Sequence, residues 1–366
     1  MDRRSFLKGA ALAGVAATVL PSSLSAAARK RPVLPAAGEE PSAELHYRPD
    51  DSFKLLQFTD THYIAGDPRS ERALRCVEEA LDAEKPDVVI HTGDILFGRP
   101  DIPSALEILR PVADRGIPFA VALGNHDAQF GSSREKVFRA IRDLPGCLNT
   151  APKEGVYGQS NDVIILSASR PERVFYLFDS MDAVILRGEE EIHSYDYIRY
   201  SQLGWYRAHA EALARRCGGK PVPALAFFHI PLCEVNEALA SPDAELVGIN
   251  GEPPCPSRVN SGLLAQFREM GDVEAVVTGH DHDCDYVLRH GPMFYIYGRF
   301  SGCDTVYNHL GRRGVAAEGE EKVSGCRLFS FRRGEKGFRT WVRLYGGEIQ
   351  QPLYLKDGRM IKESLQ

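Results

Sequence analysis

The chain has 366 residues and a formal net charge of −6, with 44 Lys and Arg against 50 Asp and Glu. Hydrophobic residues make up 43%, enough to bury a sizeable core, and charged residues 26%, close to a soluble globular average. The acidic balance lacks the basic footprint of a nucleic-acid binder, so no nucleic-acid partner is expected.

Residues 1–28 carry an address. Asp2-Arg3-Arg4-Ser5-Phe6-Leu7-Lys8 resembles a twin-arginine export signal, followed by a weakly apolar run, Gly9 to Leu20. The small residues Ser25-Ala26-Ala27-Ala28 suit signal peptidase. The run is shorter than the about 20 residues of a permanent membrane helix, so no permanent span is expected. The implied partner is the twin-arginine export machinery, and the implied location is periplasmic or secreted. Residues 29–50, rich in Pro, Ala and charge, read as a linker or N-terminal arm.

Short apolar runs then end in polar residues with chemistry. Phe53–Phe58 reads as a strand stopping at Thr59-Asp60-Thr61-His62. Ser70 to Glu84 has helical spacing in Ala73, Leu74, Val77, Ala80 and Leu81. Asp87–Ile90 reads as a strand stopping at His91-Thr92-Gly93-Asp94, and Pro103 to Arg115 as a helix. Pro118–Leu123 stops at Gly124-Asn125-His126-Asp127. Val163–Leu166 and Arg173–Phe178 read as a hairpin or meander, and Ile198–Arg215 as a helix. Ala224–Phe228 stops at His229, and Glu274–Val277 stops at Thr278-Gly279-His280-Asp281-His282. Beyond Cys284, the segments 286–288, 293–297, 327–331 and 338–342 read as antiparallel strands closing a second sheet.

Strand–helix–strand order predicts an α/β fold, and such sheets gather sites at strand carboxyl ends. Five strand ends here carry Asp, His or Asn. Hard carboxylates, several imidazoles and one shareable ligand are what a two-metal phosphoester site needs. There, ions about 3.5–4 Å apart neutralise phosphate oxygens and generate a hydroxide nucleophile.

Asp60-Thr61-His62, Gly93-Asp94, Gly124-Asn125-His126-Asp127, His229 and Gly279-His280-Asp281-His282 resemble, in order, the motifs of calcineurin-like metallophosphoesterases. The resemblance covers residues 53–300. Phe228-His229-Ile230-Pro231-Leu232, the stretch 197–206 and the stretch 279–286 are similar to the small purple-acid-phosphatase-like branch. This resemblance implies a four-layer α/β/β/α sandwich over residues 51–350, with a C-terminal tail at 351–366 and a dimetal site at strand C-terminal ends. It also implies the ligands. Asp60, His62 and His282 would bind one metal, Asn125, His229 and His280 a second, and Asp94 would bridge them. The ions would be two of Fe, Mn or Zn. A metal-bridging hydroxide would attack a small phosphate mono- or diester. His126 would assist the leaving group, and Asp127 would orient His126 by accepting its second N–H.

One position departs from the purple phosphatases. Their iron-bound Tyr, three residues after the bridging Asp, is Phe97 here. His91 reads as packing, His193 as part of a solvated polar loop rather than a substrate contact, and Arg299 as either a phosphate contact or a surface ion pair. Cys233–Cys255 is the preferred disulfide among eight cysteines, with Cys284–Cys303 second. Two alternatives stand beside the hydrolase: a weak or inactive metal-binding protein on the same fold, and a nucleotide or cyclic-nucleotide phosphodiesterase.

Overall fold

The computed structural model describes residues 40–187, 191–302, 305 and 323–364. The export signal and most of the linker, residues 1–39, lie outside the described residues. Among the described residues no helix is long and apolar enough to cross a membrane.

The first half alternates strands and helices. It runs β1 (Ala43–His46), β2 (Ser52–Phe58), α1 (Glu71–Glu84), β3 (Val88–His91), α2 (Asp101–Asp114), β4 (Phe119–Val121) and α3 (Arg134–Arg142). The middle contains β5 (Asp162–Ser167), β6 (Pro171–Leu177), β7 (Ala183–Arg187), β8 (Glu191–Tyr195) and α4 (Tyr200–Arg216). There follow β9 (Ala224–Phe227), α5 (Glu234–Ala240), β10 (Glu245–Val247), α6 (Leu263–Met270) and β11 (Val273–Thr278). The chain closes with β12 (Val287–His290), β13 (Met293–Tyr297), β14 (Gly325–Arg332), β15 (Phe338–Leu344), β16 (Ile349–Lys356) and β17 (Arg359–Lys362).

Among the described residues, one sheet has the order β17-β16-β15-β14-β2-β3-β4 and the other β1-β5-β6-β9-β11-β13-β12-β10. Strand alternation builds the layers. Leu55 of β2 faces Leu225 and Phe227 of β9 in the core between the sheets. Leu56 and Phe58 face the opposite way, onto Val77, Leu81, Ile108 and Val137 of α1, α2 and α3. Ala224 and Ala226 face outward from β9 onto Trp205, Tyr206 and Phe267 of α4 and α6. The result is a four-layer α/β/β/α sandwich.

Several expectations are corrected. The late strands do not close one sheet. Strands β12 and β13 join β11, whereas β14 pairs antiparallel with β2. Where a tail was expected, β16 pairs with β15 and β17 forms the sheet edge, and β1, inside the expected linker or arm, pairs with β5. Long-range pairing overrides what a low-complexity composition suggests locally.

Cys233 and Cys255 are thiols, not a disulfide. Each Sγ donates to a neighbour instead, to Glu234 Oε2 at 3.4 Å and to Pro253 O at 3.6 Å. Cys284 is a thiol directed at Asn250 Oδ1 and Glu252 O, and Cys303 lies outside the described residues.

Candidate metal centre

Register brings the motifs together. Phe58 pairs with His91 and His91 with Val121, so three loaded strand ends lie side by side. In the other sheet Phe227 pairs with Val277, which sets His229 beside Gly279-His280. Cross-links join the two rims. His280 N–H donates to Asp60 at 3.1 Å, His229 Nδ1 to Thr92 O at 2.7 Å, and Gln57 Nε2 to both Thr92 Oγ1 and Thr278 O.

The strand ends turn sharply. Asp60, His62, Asp94 and His280 all have positive φ, between 50° and 81°. This left-handed backbone costs roughly 1–2 kcal/mol for a non-glycine residue. It swings each side chain off its strand into a common space. The close approach also explains two motif glycines. A Cβ on Gly124 would run into Asp94, and one on Gly279 into Thr59 and Asp60.

All seven proposed ligands are buried. One donor atom each from Asp60, His62, Asp94 and His282 lie within 4.8 Å of one another, as do those of Asp94, His229 and His280. Asp94 belongs to both groups. Asn125 joins the second, its Oδ1 3.0 Å from His229 Nε2. That nitrogen is 3.1 Å from Asp94 Oδ2 and 3.3 Å from His280 Nδ1. In the first group, His62 Nε2 and His282 Nε2 face each other at 2.9 Å, and Asp60 Oδ1 is 3.5 Å from His282 Nε2.

The donors fit two ions. Two facing imidazole nitrogens cannot both carry a proton between them. Nitrogens sharing one ion at about 2.0–2.1 Å stand about 3 Å apart. The Thr92 carbonyl fixes the His229 tautomer by accepting a hydrogen bond from its Nδ1–H. The electrostatics follow from packing these groups together in the interior. Burial, with the charge on His229, brings His280 down to about 3. On His229 burial is outweighed by Asp94, which raises it to about 9. Burial, against the pull of His229 and with the push of Asp94, raises Asp60 to about 7. Asp94 stays well below the ordinary carboxylate range because its imidazole neighbours, His229 foremost, outweigh burial.

His126 lies at the edge of the group, with Nε2 3.9 Å from Asp94 Oδ2. Its expected partner is corrected. His126 Nδ1 meets Gln129 Oε1 at 2.7 Å, not Asp127. Asp127 instead accepts backbone N–H groups from Asp94 (3.1 Å), Ile95 (2.8 Å), Leu96 (3.3 Å) and Gly124 (2.7 Å). Its role is to hold the bridging loop against the Asn125 loop. Asp127→Ala strands these donors in the interior and should destabilise the fold by about 3 kcal/mol or more. A denaturation midpoint within error of the wild type would refute this.

Other residues fall as follows. Phe97 packs edge-on against His126 (centroids 4.7 Å) and His62 (5.2 Å), where it supplies surface and no ligand oxygen. His91 is a packing residue, bonded to Thr61 Oγ1 at 2.8 Å. Arg299 is neither a phosphate contact nor a surface pair: it is buried and bound to Asp285 at 2.6 Å. Sequence reasoning missed Arg134, whose guanidinium grips Asp179 and the carbonyls of Leu123 and Gly124, just before Asn125. An arginine opening a helix gives no local signal of that reach. It also missed Tyr195, whose ring packs on His280 with centroids 4.3 Å apart.

Comparison with known proteins follows the same lines. The family model for calcineurin-like phosphoesterases matches residues 53–284. An Arabidopsis thaliana protein named probable inactive purple acid phosphatase 28 is 30% identical over 343 residues, covering 83% of each chain. Probable inactive purple acid phosphatase 29 of the same plant is 29% identical, covering 82% of this chain and 84% of its own. The crystal structure of a dimetal phosphatase from Danio rerio aligns with a TM-score of 0.52, over 83% of this chain and 99% of its own. At 15% identity, that likeness is one of fold.

Proposed function

The chain belongs to the calcineurin-like phosphoesterase family, and we propose that it is an active two-metal hydrolase of phosphate mono- or diesters. The observation that carries this reading is the complete buried donor set converging on Asp94. When bound, two ions supply charge neutralisation for the phosphate and an activated water. The side chains set the polarity. Asp60 and Asp94 are the two carboxylates of the set and Asn125 is neutral, so two divalent ions leave the centre positive toward a phosphate dianion. Gln129 orients His126 through Nδ1 and leaves Nε2 directed at the centre. From there Nε2 donates a proton to the departing alkoxide.

The word "inactive" in the names of the two plant relatives favours a second reading, a metal-binding protein without turnover. Elemental analysis after reconstitution with manganese, iron or zinc, followed by a panel of monoesters, diesters and nucleotides, separates the two. Two ions with turnover supports the hydrolase. Two ions with no turnover supports the second reading, and no bound ion overturns both.

Two further expectations belong here. With Phe97 at the position of the iron-bound phenolate, an oxidised iron-loaded sample should lack the intense visible band of a purple phosphatase. A strong tyrosinate band would mean that another tyrosine, Tyr195 foremost, reaches the iron. We also propose export in the folded state through the twin-arginine route, so that the centre is loaded before the chain meets copper and zinc outside. Replacing Arg3 and Arg4 with Lys should leave the protein in the cytoplasm, as fractionation would report; normal export would refute the route.

A further inference from the structure

A cavity of about 700 Å³ adjoins the metal centre. The two share a wall. Tyr195 lines the cavity and packs on ligand His280. Cys255 lines it too, while its backbone bonds the His280 ring and its N–H bonds Asp281, between ligands His280 and His282. The cavity is built from two segments stitched together. Strands β7 and β8 supply Ala183 and His193, and the loop after β10 supplies Pro254, Pro256 and Arg258. Ser257 Oγ donates to Tyr195 O at 2.9 Å, and Arg258 N–H to Ser194 Oγ at 3.0 Å. Two prolines around Cys255 pre-set that backbone, so little ordering is needed when a ligand enters.

The lining has a definite chemistry. Its surface is mostly apolar, with the Tyr195 ring beside the centre. Among the described residues no Asp or Glu lines it, although the chain as a whole is acidic. Arg258 is exposed at the wall, and no carboxylate among the described residues forms an ion pair with it. His193 is the second nitrogen base there.

We propose that this cavity receives the alcohol portion of the substrate, and that it selects a flat apolar body bearing a second anionic group. The inference rests on the hydrolase reading for its link to turnover, and on the cavity alone for binding. Hydrolysis breaks the P–O bond and adds the elements of water. The leaving oxygen takes its proton at the centre, and the released alcohol remains in the cavity until it dissociates. The ring lies against Tyr195 and the prolines, and the anion meets Arg258.

The test uses 2-naphthyl phosphate, 6-carboxy-2-naphthyl phosphate and ethyl phosphate. The metal-loaded protein should show kcat/KM about tenfold higher for the carboxylated ester than for the plain naphthyl ester, the scale of one exposed charge-assisted contact. Arg258→Gln should bring that ratio near one. Binding is read separately by the fluorescence of 6-hydroxy-2-naphthoate on the metal-free protein. It should bind more tightly than 2-naphthol, and Arg258→Gln should remove the difference. If every ester is inert but the naphthoate binds with this dependence, the hydrolase reading fails and the cavity assignment stands. If esters are cleaved with a ratio near one and no naphthoate binding appears up to about 10 mM, the cavity assignment is overturned.

Discussion

Asp94→Ala should lose both ions and all hydrolysis together. The carboxylate is the one side chain common to the two donor groups. Its Oδ2 stands 3.1 Å from His229 Nε2 and 3.7 Å from His62 Nε2, and its Oδ1 accepts the His126 N–H at 2.8 Å. Removing it deletes a negative charge from both sites and leaves two adjacent cations to repel each other with no shared carboxylate between them. Enzymatic rate enhancements begin at about 10⁶-fold, so loss of the centre should return the rate to that of the uncatalysed ester. Asp94→Asn keeps an acceptor for the His126 N–H without the charge. It should retain the fold and still fall well short of two ions per chain. Circular dichroism, elemental analysis and kcat on the same samples make the comparison. An Asp94→Ala protein that is folded, holds two ions and turns over would defeat the bridging assignment.

His126→Ala should behave in the opposite way, keeping two ions and losing turnover. The His126 side chain is about a quarter exposed, unlike the buried ligands, and its Nε2 is 3.9 Å from the nearest Asp94 oxygen. It is close enough to touch a bound ester and is not among the clustered donor atoms. General acid catalysis is typically worth about 10²–10⁴-fold, so kcat should fall by that range. The loss should be greater for alkyl phosphates, whose alkoxides need a proton, than for nitrophenyl esters. Gln129→Leu removes the Nδ1 partner and should give a smaller loss with the same leaving-group dependence. Equal slowing of both ester types would reduce His126 to a substrate-positioning residue. An unchanged kcat would remove it from the chemistry.

The contrast between these variants depends on information of two kinds. The amino-acid order was enough to place Asp60, His62, Asp94, Asn125, His229, His280 and His282 at strand ends, because each apolar run stops abruptly at Gly, Thr or His. It was also enough for α1 and α2, whose apolar faces repeat within a few turns. These signals are local: a ligand's chemistry and a strand's end are both written within about ten residues.

Tertiary structure decided whatever depended on residues far apart. Segments 286–297 and 325–344 look alike as alternating strands, yet β13 joins β11 and β14 joins β2, since each sheet chooses neighbours by burial on both faces. Gln129 took the His126 ring because the turn at 126–128 brings it within 2.7 Å. The same turn carries Asp127 inward to backbone N–H groups, and a buried carboxylate is drawn to the densest set of donors. Arg299 was drawn inside by Asp285, and the Cys233 and Cys255 thiols were left as cavity lining instead of a staple. Residue types therefore announce which chemistry is available, while side-chain partners are set by distances that only the packed sheets create.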